Sequence, residues 1–137
     1  MTLVSIITVC FNSEKTIKDT IESILNQSYK EIEYIIIDGG STDESAAIIE
    51  QHKNQIDYWV SEPDKGIYNA MNKGLKIAKG DHVLFLNSGD FLHNKNVLKQ
   101  AFIAITPQDD LVYGAVVLRN EKIGSERTQV HPETLPF

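Results

Sequence analysis

Three apolar runs end abruptly in polar turns, and this repetition restricts the fold more than any other feature of the chain. Leu3 to Val9 (LVSIITV) leads to Asn12-Ser13, Glu33 to Ile37 (EYIII) to Asp38-Gly39-Gly40-Ser41, and Val83 to Leu86 to Asn87-Ser88-Gly89-Asp90. Runs that are apolar on both faces and rich in β-branched residues are the strands of parallel sheets. Between them the period changes. Ile17, Ile21, Ile24 and Leu25 recur at helical spacing within Glu14 to Gln27. Ser45 to His52 and Ile67 to Lys79 show the same period, the latter interrupted by Gly74 and closed by Gly80 as a C-cap. Asn12-Ser13 reads as a turn and N-cap, and Ser41, three residues before Glu44, as a capping box. Ile56 to Val60 reads as a short third strand, Asn96 to Ile105 as a further helix, and Leu111 to Leu118 as a fifth strand. From Arg119 onward the tail is polar, with no evident final element. Strands alternating with helices imply βαβ units. Right-handed crossovers make these an α/β fold: an open, mainly parallel, doubly wound sheet with flanking helices. Ligands of such sheets bind beyond the carboxyl ends of the strands, where all three polar turns fall.

Size and charge narrow the function. The chain has 137 residues, enough for one domain with a real core, and 42% of them are apolar. Thirteen Lys and Arg against nineteen Asp and Glu give a net charge of −6, which argues against a nucleic-acid binder. A phosphate-bearing small ligand remains compatible, because a local pocket can be positive or hold a metal. Cys10 is the only cysteine, so no disulfide framework or cysteine-rich zinc site is expected. No apolar run approaches the roughly 18–20 residues that span a bilayer. The opening residues lack a basic start and enter a strand pattern at Leu3, unlike a signal peptide, so a cytoplasmic protein is expected.

The turns offer chemistry, each beside a plainer reading. At Asp38, two glycines let a ligand approach the backbone, and the following helix is expected to offer free N–H groups. Asp38 itself is an acceptor for a base or sugar, or a turn carboxylate satisfied by nearby N–H groups. Asp90 is a candidate ligand for Mg²⁺ or Mn²⁺, which take hard oxygen donors, or the cap of a short turn. Lys65 and Lys73 reach for phosphate or are solvated surface. His52, His82, His93 and His131 show no metal spacing, and only His93 lies near Asp90. Neither G-x-G-x-x-G nor G-x-x-x-x-G-K-[ST] occurs, so dinucleotide oxidoreductases and P-loop NTPases find no support.

Three ordered stretches resemble the inverting family 2 glycosyltransferases with a GT-A fold: VSIITVCFNSEKTIKDTIESILNQSY, EYIIIDGGSTDES and EPDKGIYNAMNKGLKIAKGDHVLFLNSGD. The likeness runs from about Leu3 to Leu118, and the last stretch is similar to a branch that builds bacterial surface polysaccharides such as colanic acid and capsule. The resemblance implies that Thr8, Val9 and Asn12, with the Asp38-Gly39 turn, hold the base and ribose of a UDP- or GDP-linked sugar. It implies that Asp64, Lys65 and Lys73 line the same cleft. It also implies that Asp90 holds the cation against the diphosphate. A glycan or lipid-linked acceptor follows, and with it peripheral membrane contact. Residues 1–118 are then the nucleotide-sugar-binding domain, and 119–137 the start of an acceptor region that is cut short.

Two departures from the family pattern bear on the site. Many relatives carry Asp-Asp-Gly-Ser at the second turn, where Gly39 stands here, which puts the choice of nucleotide in question. Their metal motif often has two or three carboxylates, where Asp90 stands alone. No residue is identified as the general base, since Glu121, Glu126 and Glu133 fall in no recognisable motif. The sequence therefore supports a glycosyltransferase donor domain. It leaves open a nucleotide-sugar-binding fragment or degenerate homologue without transfer and, by fold analogy only, a nucleotidyltransferase. Oligomeric state is not legible.

Overall fold

The computed structural model describes residues 2–105, 109, 116–120 and 124–129. Two compact units divide the chain, Met1–Phe102 and Ile103–Phe137. In the first, the strands β1 (Val4–Cys10), β2 (Ile32–Asp38), β3 (Tyr58–Ser61) and β4 (His82–Phe85) alternate with the helices α1 (Ile17–Leu25), α2 (Ser45–Gln51) and α3 (Ile67–Ile77). A helix α4 (Val97–Ala104) follows. All pairings in the sheet are parallel, in the order β3-β2-β1-β4.

The strand order follows from burial. Every residue of β1 is buried, which only a central strand covered on both faces permits. On one face Ile6, Tyr34 and Ile36 meet Ile17, Ile21 and Ile24 of α1 and Ile49 of α2. On the other, Ile7, Val9, Ile35 and Ile37 pack with Ala70 of α3. Gly74 breaks the apolar stripe of α3 for a packing reason: a Cβ there would stand 2.5 Å from Cγ2 of Ile7, so glycine lets the helix lie close on β1.

The chain runs β1 to β2 to β3 in one direction and then crosses to place β4 on the opposite side of β1. The carboxyl ends of β1 and β4 therefore flank a topological switch point, the usual place for a ligand in an open α/β sheet.

Four sequence expectations are corrected. Gly80 does not cap α3, which ends at Ile77 with Ala78 following; Gly80 instead donates its N–H to Ser5 Oγ at 2.8 Å, and a Cβ there would meet Ser5 N at 2.5 Å. The capping box at Ser41 and Glu44 does not form, because α2 starts at Ser45 and has no side-chain cap from Glu44. The N-cap expected at Asn12-Ser13 is displaced, since α1 starts at Ile17 after a turn in which Ser13 O accepts from the N–H groups of Thr16 and Ile17. Finally, the tail does contain an element. In the second unit, β5 (Val116–Asn120) pairs antiparallel with β6 (Ser125–Gln129), a hairpin separate from the parallel sheet. Gly124, at φ 62, supplies the left-handed backbone beside its turn. Ser125–Gln129 escaped notice because SERTQ has no apolar alternation. Residues 111–115 of the expected fifth strand lie outside the described residues, as do Glu121, His131 and Glu133.

Candidate donor-binding cleft

Register brings Cys10, Asp38 and Ser61 side by side at the carboxyl ends of three adjacent strands. Asp38 is fully buried there and collects four hydrogen bonds. Its Oδ2 accepts from Ser61 Oγ at 2.6 Å and from Ser41 N at 2.9 Å. Its Oδ1 accepts from Ser41 Oγ at 2.5 Å and from the Cys10 thiol at 3.3 Å. Burial alone would raise the Asp38 carboxyl, but these donors outweigh it and hold it below its ordinary value. Cys10 is driven the other way, upward, by burial first and then by the adjacent Asp38 charge. It is a protonated donor rather than a nucleophile. Asp38 thus organises the strand ends and has no oxygen left over in the cleft.

A second network joins the β1–α1 loop to the β2–α2 loop. Asn12, at φ 47, accepts at Oδ1 from Thr42 N at 2.8 Å, while its own N–H donates to Ser41 Oγ at 2.8 Å. Ser13 N donates to Ser45 Oγ at 2.7 Å, and Glu14 N to Asp43 Oδ2 at 3.1 Å. In return, Glu44 N donates to Glu14 Oε2 at 3.0 Å. Asp43 also accepts from Ser45 N at 2.9 Å. The backbone N–H groups of residues 41, 42, 44 and 45 are therefore engaged within the two loops.

A third set of bonds fixes the turn after β4. Thr20, buried in α1, accepts from Gly89 N at 3.2 Å and donates to the main-chain oxygen of Asp90 at 2.8 Å. Thr16 Oγ1 lies 3.1 Å from Ser88 Oγ, and Leu92 N donates to Ser23 Oγ at 3.1 Å. Gln27, also buried, donates to Asn94 O at 2.7 Å and accepts from Leu98 N at 3.2 Å. One face of α1 thus carries the hydroxyls and amide that hold the segment from Ser88 to Leu98.

Above these frames lies a cleft of about 680 Å³, a size that admits a nucleotide. Phe11 and Ser13 come from the β1 side, Gly39 and Gly40 from β2, Pro63, Asp64, Gly66 and Ile67 from the β3–α3 turn, and Asn87 and Ser88 from β4. Of the residues predicted for the site, Val9, Gly39 and Asp64 line it. Thr8 does not: it is fully buried, with its hydroxyl 3.1 Å from the Tyr34 hydroxyl. Asn12 and Asp38 support the walls as described. Lys73 donates to Glu62 Oε1 at 2.8 Å, and neither it nor the exposed Lys65 lines the cleft.

Asp90 sits beside the cleft on the exposed turn, with its main chain held and no hydrogen bond to its carboxylate among the described residues. Asn87 lines the cleft, and its Oδ1 is buried with no partner among the described residues. A buried acceptor without a donor is a rarity that calls for a partner. Asn87 and Asp90, three residues apart in one turn, both carry the hard oxygen donors that Mg²⁺ or Mn²⁺ take, whose remaining positions water and phosphate usually fill. Among the described residues no three His, Cys, Asp or Glu side chains converge.

Phe11 was missed by sequence reasoning. It is 61% exposed and lines the cleft, an aromatic face where a ring could stack. Its one signal in the sequence was its position directly after β1.

A parallel sheet of this order, with a nucleotide-sized cleft at its carboxyl edge, is the frame of GT-A glycosyltransferases. Residues 5–136 match the family model Glycosyl transferase family 2, and the chain belongs to that family. An uncharacterised glycosyltransferase of Mycobacterium tuberculosis is 41% identical over 104 residues, 75% of this chain and 40% of that protein. The Staphylococcus aureus protein TarS 1–349, in complex with UDP-GlcNAc, superposes with a TM-score of 0.67 at 32% identity, covering 74% of this chain and 30% of that one. A glucosyl-3-phosphoglycerate synthase of Mycobacterium tuberculosis, holding Mn²⁺, UDP and glucosyl-3-phosphoglycerate, aligns with a TM-score of 0.55 at 27% identity, over 64% of this chain and 33% of that one. The chain thus spans about two fifths of the length of the curated relative it matches and about a third of these two structures.

Proposed function

We propose that this chain is the donor-binding part of a glycosyltransferase that moves a sugar from a nucleoside diphosphate to a growing surface polysaccharide with inversion. The observation that carries the donor reading is the cleft itself. It sets an exposed aromatic, two glycines and the buried Asn87 Oδ1, without a partner among the described residues, along one sheet edge, with the exposed Asp90 on the adjoining turn. The base stacks on Phe11 near Gly39 and Asp64, and the ribose follows along Gly40. The diphosphate extends toward the β4 turn, where Asn87 and Ser88 line the cleft. There Asp90 and Asn87 would hold Mg²⁺ or Mn²⁺. A bound cation neutralises charge on the departing diphosphate. The chain's own residues bind the donor, orient it and fix the β4 turn through Thr16, Thr20 and Ser23. Uridine and guanosine diphosphates are the candidate carriers, and the two related structures described above hold UDP-GlcNAc and UDP.

In this reading residues 1–118 are the donor domain, and residues 119–137 lead toward the part that would hold the acceptor and the general base. Inversion requires that base to take the proton of the attacking hydroxyl. The acceptor is a glycan, free or lipid-linked, and the enzyme works on the cytoplasmic side, at the inner face of the membrane. Among the described residues no helix is long and apolar enough to cross a membrane, so contact would be peripheral or made elsewhere.

The test is calorimetric titration with UDP and GDP, with and without Mn²⁺, on the wild type and Asp90→Ala. Binding that needs Mn²⁺ and disappears in Asp90→Ala supports the reading. Absence of binding under every condition overturns it for this chain.

A further inference from the structure

Gly39 has no left-handed backbone to account for it. Its φ falls outside the range that favours glycine, unlike that of Gly40 at 80°. A side chain at 39 would instead displace a neighbour. A Cβ built there would stand 2.8 Å from Oδ2 of Asp64 and 3.3 Å from its Cγ. The Asp64 carboxylate therefore fills the space over the Gly39 peptide. Its Oδ1 is fixed by the Gly66 N–H at 2.8 Å. Its Oδ2 has no hydrogen bond among the described residues, although Asp64 lines the cleft together with Gly39 and Phe11.

We propose that Asp64 reads the base of the bound nucleotide through an N–H on its pairing edge, and that position 39 is glycine to admit this carboxylate. The inference rests on the nucleotide reading above. An ionised carboxylate only accepts hydrogen bonds. Uracil offers it the N3–H, and guanine the N1–H beside an amino group. Cytosine and adenine present a bare ring nitrogen at the same place, which faces the carboxylate lone pair to lone pair. Asp64 thus selects uridine and guanosine diphosphates over cytidine and adenosine diphosphates. Gly39 contributes indirectly, as a positioning residue, because any side chain there pushes Asp64 aside.

The experiment is calorimetry with UDP, GDP, CDP and ADP in the presence of Mn²⁺. The proteins are the wild type, Asp64→Asn, Asp64→Ala, Gly39→Ala and the Gly39→Ala/Asp64→Ala double variant, each checked for folding by thermal melt. A charge-assisted hydrogen bond corresponds to a preference of about tenfold or more for UDP or GDP in the wild type. Asp64→Asn, which can donate as well as accept, should narrow that preference and raise CDP relative to UDP. Gly39→Ala should resemble Asp64→Ala, and the double variant should bind no worse than Asp64→Ala alone. An unchanged ratio of CDP to UDP in Asp64→Asn would overturn the base reading while leaving the nucleotide site intact. Additive losses in the double variant would show that the methyl at 39 obstructs the ligand directly, and would remove the role given to Gly39. A wild type that binds none of the four would overturn both this inference and the function beneath it.

Discussion

Ser61 Oγ donates to Asp38 Oδ2 across 2.6 Å, and this bond ties the end of the edge strand β3 to its neighbour β2. The same carboxylate holds Ser41 on the following loop. Asp38→Asn keeps the shape but turns an amide N–H toward a donor. The expected loss is about 1–3 kcal/mol of folding stability, measured by urea denaturation, because a buried donor is left unmatched. A variant as stable as the wild type would show that the strand ends do not depend on this carboxylate.

Acid stability should follow from the same residue. The folded carboxyl of Asp38 lies below its ordinary value of 3.8. Its contribution to stability is therefore fully present above that value and is lost as pH falls through the folded value beneath it. Denaturation midpoints should drop below pH 4, and the drop should be smaller in Asp38→Asn. Identical acid profiles for the two proteins would assign the transition to other carboxylates.

Asn12→Ala removes the acceptor for Thr42 N that joins the two loops. The site is exposed, so water replaces part of the loss, and the expected cost is about 1 kcal/mol. Hydrogen exchange should speed up at Thr42 and leave the core of β1 unchanged. Faster exchange across the whole sheet would contradict a local role.

Gly74→Ala should improve the intrinsic helix propensity of α3 by about 1 kcal/mol. The added methyl would nevertheless meet Ile7 at 2.5 Å. Overpacking of about 1–3 kcal/mol is expected to exceed or cancel that gain, so the melting temperature should not rise. A clear increase would mean that α3 can shift away from the sheet at little cost.

Phe11→Ala tests the stacking face. Loss of one base–aromatic contact corresponds to about 1–3 kcal/mol, roughly 5- to 150-fold in UDP affinity. Because the side chain is 61% exposed, folding stability should change little. Unchanged affinity would place the base elsewhere in the cleft.

The sheet was legible in the sequence because its strands are buried on both faces and therefore appear as continuous apolar runs, as Ile35-Ile36-Ile37 does. The place of the cleft was legible too, since parallel strands send all their carboxyl ends the same way. The residues lining it were harder to read. Thr8 was expected in the site yet faces the core, because a strand's alternation decides which side chains reach a ligand and the strand's exact end was not known. Ser41 and Glu44 looked like a local capping box, but they bond across to Asn12 and Glu14, 29 and 30 positions away, and Ser41 also donates back to Asp38. Pairings at that distance leave no periodic trace in one sequence. Gly39 appeared to be a lost carboxylate. The explanation needed Asp64, which local sequence does not connect to it.

The bonds between the β1–α1 and β2–α2 loops also shape how such a chain can vary. Asn12, Glu14, Ser41, Asp43 and Ser45 each offer a side-chain oxygen to a backbone N–H on the opposite loop, so each position is held to an acceptor of its own whatever residue faces it. Phe11, Gly39 and Asp64 stand outside that stitching. Descendants of this sequence could exchange one nucleotide for another at those three positions without unpicking the seam that holds the cleft open.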